Sequence, residues 1–181
     1  MCCLFGFYNY SGGAINNIKR LTNSLAEEAT VRGTDATGIA YNEGGKLIIH
    51  KEPKSAFQID FKHPDNIVSV MGHTRHSTQG DKAKNYNNHP FSGRCTNENF
   101  ALAHNGVLTN DSELKRALHL PYTKIKTDSY IAVQLIEKQK TLDLSSIKYM
   151  AEKVEGSFAF SILDSKNCLW LVRGDSPLII L

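Results

Sequence analysis

The sequence predicts an α+β domain in which sheets are sandwiched with helices, and three observations carry that expectation. At 181 residues the chain can bury a substantial core as one domain, 1–181, without staples. Its apolar segments run strand, helix, four or five strands, helices, strands, an order unlike the alternation of a doubly wound parallel sheet. Two pairs of strand-like segments also read as hairpins.

Taken in order, Cys3 to Tyr8 is apolar and aromatic and reads as a buried strand closed by Ser11-Gly12-Gly13. From Ala14 to Val31, the apolar residues Ile15, Ile18, Leu21, Leu25 and Ala29 recur at helical spacing, and Arg32-Gly33 ends the helix. Gly38 to Asn42 and Lys46 to Lys51 are two strands joined at Glu43-Gly44-Gly45. A short helix is expected after Pro53, and another buried strand from Asn66 to Arg75. Ser77 to Asn97 is polar, Asn-rich and carries Pro90, and reads as one long functional loop.

Phe100 to His104 is a strand that runs into Asn105-Gly106. Helices follow at Asp111 to Leu118 and Asp128 to Gln139, each opening on an acidic residue suited to N-capping, and a third lies near Leu144 to Val154. Gly156 to Leu163 and Leu169 to Arg173 form the second hairpin, and Pro177 to Leu181 begins one more strand. Because the chain stops inside an apolar run, it is expected to lack its last C-terminal strands, the end being either truncated or completed by another element.

Composition narrows the function. No apolar run approaches the roughly 18 residues that span a membrane, and the N-terminus lacks the basic and apolar regions of a signal peptide. A cytoplasmic, reducing location is the expectation. The four cysteines then form neither a disulfide framework nor a CxxC zinc pattern, so no metal site is expected, and Cys3, Cys95 and Cys168 read as small buried hydrophobes. A formal charge of +3, spread along the chain, argues against a nucleic-acid partner.

Cys2 differs because it directly follows the initiator Met1. Once Met1 is removed, the α-amine, with a reference pKa of about 7.7–8.0, stands beside the thiol as a base near working pH. Gly72 to Gly80 closes a strand with Arg75 and hydroxyls, and a guanidinium fork suits a small carboxylate. Asn105-Gly106 can offer a side-chain N–H and a backbone N–H to an oxyanion. Asp128 can accept from an ammonium group. Each has a plainer reading: Arg75 as an ion-pair partner, Asp128 as an N-cap, Asn105-Gly106 as a bare turn. His73, His89 and His104 read as structural histidines.

Seen together, Cys2 to Gly6, Arg32 to Gly38, Gly72 to Gly80, Asn88 to Phe91, His104 to Gly106, Thr127-Asp128 and Glu155 to Ala159 change the weighting. With these motifs in this order, the chain resembles the class II glutamine amidotransferase domains of the N-terminal-nucleophile hydrolases. It looks most like the glutaminase domains of glucosamine-6-phosphate synthase and glutamine phosphoribosylpyrophosphate amidotransferase.

The resemblance implies a four-layer αββα sandwich with antiparallel sheets between helical layers. It implies that Cys2 attacks the side-chain amide of L-glutamine and forms a γ-glutamyl thioester. Asn105 and Gly106 would form the oxyanion hole and Arg32 would support the N-terminal residue. Arg75, with Thr78 nearby, would hold the substrate α-carboxylate and Asp128 its α-ammonium, while His76, where relatives usually carry an aromatic, belongs to the glutamine loop. No cofactor is implied. The ammonia implies an acceptor site on a synthase partner, a downstream domain or a second copy of the chain. Two other functions stay open: a catalytically silent domain that binds glutamine or a partner, and an N-terminal-nucleophile hydrolase of another amide.

Overall fold

The computed structural model describes residues 2–181. Met1, whose removal the sequence reading expects, lies outside the described residues. Twelve elements form two antiparallel sheets and four helices. The first sheet has the order β1 (Cys3–Tyr8), β4 (Ser69–Arg75), β2 (Ala36–Glu43), β3 (Lys46–Glu52). The second runs β5 (Phe91–Arg94), β6 (Asn99–Leu108), β7 (Gly156–Asp164), β8 (Leu169–Arg173). Helix α1 (Ile18–Ala29) covers the first sheet, while α2 (Asp111–Ala117), α3 (Tyr130–Gln139) and α4 (Leu144–Lys153) serve the second. This is the αββα sandwich that the resemblance implies.

Three packed layers explain the sandwich. Ile18 and Ala26 of α1 pack on Ile39, Tyr41 and Val70 of the first sheet. Leu102, Phe160 and Ile162 of the second sheet pack on Ile131, Leu135 and Ile136 of α3 and on Ile147 and Met150 of α4. Between the sheets lie Ala40, Met71, Ala101, Ala103 and Leu163, where small side chains let two sheets approach closely. With both faces covered, β2 and β4 are buried along almost their whole length, and their sequences show little polar alternation.

The β2–β3 hairpin turns at Gly44 and Gly45, both at positive φ (55° and 75°), as a two-residue turn requires. Among the described residues no helix is long and apolar enough to cross a membrane.

Several boundaries differ from the sequence reading, each for a local reason. Helix α1 begins at Ile18 rather than Ala14, because Asn17 takes a left-handed conformation (φ 57°) that helical turns cannot include. Its buried stripe is Ile18, Thr22, Ala26 and Ala29; Thr22 is tolerated there because its hydroxyl reaches Ile18 O at 3.1 Å and His63 Nε2 at 2.7 Å. The helix expected after Pro53 is a single 3₁₀ turn, Ala56–Gln58, and β4 starts at Ser69 rather than Asn66.

The polar stretch 77–97 is not one loop, since it holds a 3₁₀ turn and strand β5. Strand β6 continues through Asn105-Gly106 to Leu108, so that pair is not a turn. Residues 177–181 form no strand, and Ile179 and Ile180 are exposed. Cys95 is buried as expected, but Cys168 is exposed.

Candidate active site

Strand pairing brings the N-terminal cysteine to the end of β4. Cys3 faces Thr74 in the antiparallel register, so Cys2, one residue earlier, meets the Arg75–His76 end of that strand. There the His76 backbone N–H donates to Cys2 Sγ at 3.4 Å, and the thiol faces His76 O at 3.5 Å. Arg32, at the end of the 3₁₀ turn that follows α1, donates through Nε to the Cys2 carbonyl at 3.1 Å. Burial pushes the Cys2 thiol pKa up, and the His76 N–H pulls the other way. A thiol held mostly protonated needs a base at the moment of attack.

Arg75 is buried at the strand end. Its Nη1 donates to Asn88 Oδ1 at 2.6 Å, and its Nη2 donates to the carbonyls of Gln79 and Gly80, the latter at 3.1 Å. Residues 76–82 thus fold over the guanidinium. Asp35 anchors this loop, accepting from Ser77 N–H at 2.8 Å and from Lys82 Nζ at 2.6 Å. Burial would raise its carboxyl pKa, but the bonds to Lys82 and Ser77 outweigh that and hold it at about 2. Thr78 is exposed, and the Arg75 guanidinium bonds to the backbone carbonyl of the next residue, Gln79. The His76 side chain is exposed and lines a 430 Å³ cleft with Thr30 to Thr34. Gln79 lines a second cleft, of 510 Å³, with Tyr122 and Lys126.

The other candidates come from the second sheet. Asn105 is buried on β6, and its side chain makes no hydrogen bond among the described residues, which leaves its amide N–H groups unspent. Gly106 has φ 145°, and a Cβ there would meet Ser157 O at 2.0 Å, so the position demands glycine. Asp128 does not cap a helix: Ser129 is the N-cap of α3, and Asp128 Oδ2 instead accepts from Leu108 N–H at 2.7 Å across to β6. Ser129 Oγ lies 3.4 Å from Asp128 Oδ1 and 2.8 Å from His104 Nδ1. Cys2, Arg75 and Asp128 lie close enough to feel one another's charge. Arg75 has no ion-pair partner among the described residues, which removes the plain ion-pair reading.

Three histidines sit behind these groups, all neutral. Burial lowers the pKa of His73 to about 3, that of His104 to about 4 and that of His89 far below the usual range. They are unsuited as bases at neutral pH, as the sequence reading expects. Among the described residues no cluster of His, Cys, Asp and Glu could hold a metal ion.

Asp35, Asn88 and Ser129 all stand within or beside the sequence motifs, but nothing in the sequence assigns any of them a role.

The glutamine amidotransferase domain profile matches residues 73–180. The glutamine--fructose-6-phosphate aminotransferase [isomerizing] of Staphylococcus aureus (strain Mu50 / ATCC 700699) is 32% identical over 193 residues, 99% of this chain and 30% of that protein. Its counterpart in Bacillus thuringiensis subsp. konkukian (strain 97-27) is 29% identical over 188 residues, with the same coverage. The chain therefore spans 30% of the length of these curated relatives. The B. subtilis glutamine phosphoribosylpyrophosphate amidotransferase, solved with ADP and GMP, superposes on 90% of this chain and 35% of its own, with TM-score 0.69 and 24% identity. A structure described as the allosteric regulatory enzyme of purine biosynthesis gives TM-score 0.72, also at 24% identity and with the same coverage. These likenesses bear out the expected fold.

Proposed function

The chain belongs to the glutamine amidotransferase domain family, and from that premise we propose that it hydrolyses L-glutamine to glutamate and ammonia through Cys2. The observation that carries the reading is the setting of Cys2. Its thiol is held by the His76 N–H and flanked by a buried cation without a carboxylate partner, Arg75, and by a buried carboxylate, Asp128. That pair matches the two charges of a free amino acid, which favours glutamine over an acylated substrate.

In this reading, removal of Met1 frees the Cys2 amine to take the thiol proton as sulfur attacks the side-chain amide carbon. Asn105 Nδ2 and the Gly106 N–H stabilise the tetrahedral oxyanion. Its collapse breaks the C–N bond, the proton returns to the leaving nitrogen, and ammonia departs. A γ-glutamyl thioester remains, and water hydrolyses it to glutamate and the free thiol. Arg75 holds the α-carboxylate, Asp128 holds the α-ammonium, and Arg32 fixes the Cys2 backbone. Thr78 and His76 complete the loop around the bound substrate. The relatives' greater length supports an acceptor site for the ammonia on another domain, another protein or a second copy.

Ammonia release by the wild-type chain and by Cys2→Ala tests the proposal. Turnover that vanishes with Cys2 supports it, and turnover that persists refutes it. Glutamine binding without any turnover, in a sample that retains Met1, would favour the silent binding domain instead.

A further inference from the structure

The partners of Arg75 point to a residue that prepares it. The guanidinium is buried, yet every acceptor it reaches is uncharged: the Asn88 amide oxygen and the carbonyls of Gln79 and Gly80. Arg75 feels the charges of Asp35, Asp128 and Asp81 without bonding to any of them, and Asp35 is spent on Lys82 and Ser77 and Asp128 on the Leu108 N–H. A buried cation with neutral partners is costly to maintain unless a counter-charge arrives.

Asn88 is itself fully buried and held from several sides. Its Nδ2 donates to Lys82 O at 3.0 Å and Asn85 Oδ1 at 3.2 Å, and its own carbonyl accepts from Lys51 Nζ at 2.6 Å. Lys51 also donates to Pro90 O at 2.9 Å, which ties the segment to β3. Arg75 can only donate and Lys82 O can only accept, so chemistry fixes which end of the amide faces which.

The two sides of the guanidinium are therefore unequal. A carboxylate gripped by two parallel N–H groups needs an Nη2 hydrogen, whichever edge it approaches. Both Nη2 bonds go to loop carbonyls of Gln79, which is exposed, and Gly80, which is half-buried. Those carbonyls form the exchangeable side, and Asn88 forms the fixed side.

We infer that Asn88 is a positioning residue for substrate recognition: its neutral amide fixes the Arg75 guanidinium while leaving the charge for the substrate's α-carboxylate. The inference rests on the reading of Arg75 given above. An aspartate at this position would have the same shape and would still accept from Arg75, though it could not donate to Lys82 O and Asn85 Oδ1. It would also neutralise the guanidinium before the substrate arrived.

The test compares L-glutamine with its α-methyl ester on the full chain. Wild type should favour the acid by about 10- to 100-fold in kcat/KM, the range of a charge-assisted contact. Asn88→Asp should reduce that preference to within about threefold, through KM rather than kcat, at some cost in thermal stability because Lys82 O and Asn85 Oδ1 lose their donor. Asn88→Ser, neutral but too short to reach, should raise KM for the acid several-fold and leave the ester unchanged. Calorimetric binding of L-glutamate and its α-methyl ester gives the same ratio without turnover.

If Asn88→Asp keeps the wild-type preference, or if both variants weaken acid and ester equally, the inference is overturned. Arg75→Ala separates the two ideas. A preference that survives Arg75→Ala sinks the reading of Arg75, whereas one lost there but kept in Asn88→Asp sinks only the role of Asn88.

Discussion

Nε2 of His73 lies 3.0 Å from the main-chain carbonyl oxygen of His104, a buried hydrogen bond that runs from one sheet to the other. The bond sits two residues before Arg75 on β4 and one residue before Asn105 on β6. Because a carbonyl only accepts, the His73 proton resides on Nε2, and burial keeps the ring neutral. The inter-sheet bond thereby ties the strand end that carries Arg75 to the one that carries the Asn105–Gly106 pair.

His73→Phe keeps a ring of similar size and deletes that donor. We expect it to cost about 1–3 kcal/mol, since the His104 carbonyl is left buried and unpaired. Urea unfolding measures the loss, and glutaminase turnover should fall while the chain is still folded. Unchanged stability and turnover would mean that the bond contributes nothing.

The buried histidines also set an acid limit. Each has a folded pKa depressed below the ordinary 6.5, to about 3 for His73 and about 4 for His104, with His89 lower still than usual. Unfolding then takes up protons that the fold excludes, so stability is full above pH 6.5 and is lost as pH falls toward 4. Each such group adds about 1.4 kcal/mol per pH unit to the fall where it is charged unfolded but neutral folded. Asp35 acts lower, losing its contribution only between 3.8 and about 2. His89→Leu should flatten the slope by about a third in chemical denaturation at pH 7, 6 and 5. An unaltered slope would contradict the assignment. The same variant should be near neutral at pH 7, because neither His89 ring nitrogen has a partner among the described residues.

Substrate grip and catalysis should separate in the kinetics. Arg75→Lys replaces a fork with a point charge, and we expect KM for glutamine to rise about 10- to 100-fold with kcat little changed. Asn105→Ala removes an oxyanion donor and should lower kcat by about 10²–10³-fold. Steady-state ammonia release distinguishes them, and swapped phenotypes would mean that the two roles are exchanged.

Gly106→Ala should be far worse than a surface Gly→Ala change. The backbone φ of 145° and a Cβ only 2.0 Å from Ser157 O leave no room without moving β6 from β7. Loss of cooperative unfolding, or of soluble protein, is the expected result. A stable and active variant would show that this part of β6 yields easily.

Much of this site was legible in the sequence because its signals are local. A cysteine after the initiator, an arginine closing an apolar run and an acid opening a helix each need only neighbouring residues to be noticed. What was not legible depends on distant partners. Strand β5 is Phe-Ser-Gly-Arg, too short and polar to stand out, and exists because β6 pairs with it. Asn105-Gly106 resembles a turn until nine residues of β7 pair along β6 and hold it extended. Asp128 resembles a cap, but the N–H of Leu108, 20 residues away, takes its carboxylate. Asp35 and Asn88 acquire roles only when residues 76–82 fold back over Arg75.

Cys2 as the nucleophile is tested by the intact mass of the chain after incubation with a glutamine-like diazoketone, followed by peptide mapping. The expected product is a chain that lacks Met1 and carries one adduct, on Cys2, with Cys3 unmodified because neighbouring side chains on a strand face opposite ways. A chain that retains Met1 and takes no adduct, or one labelled on another residue, would contradict it.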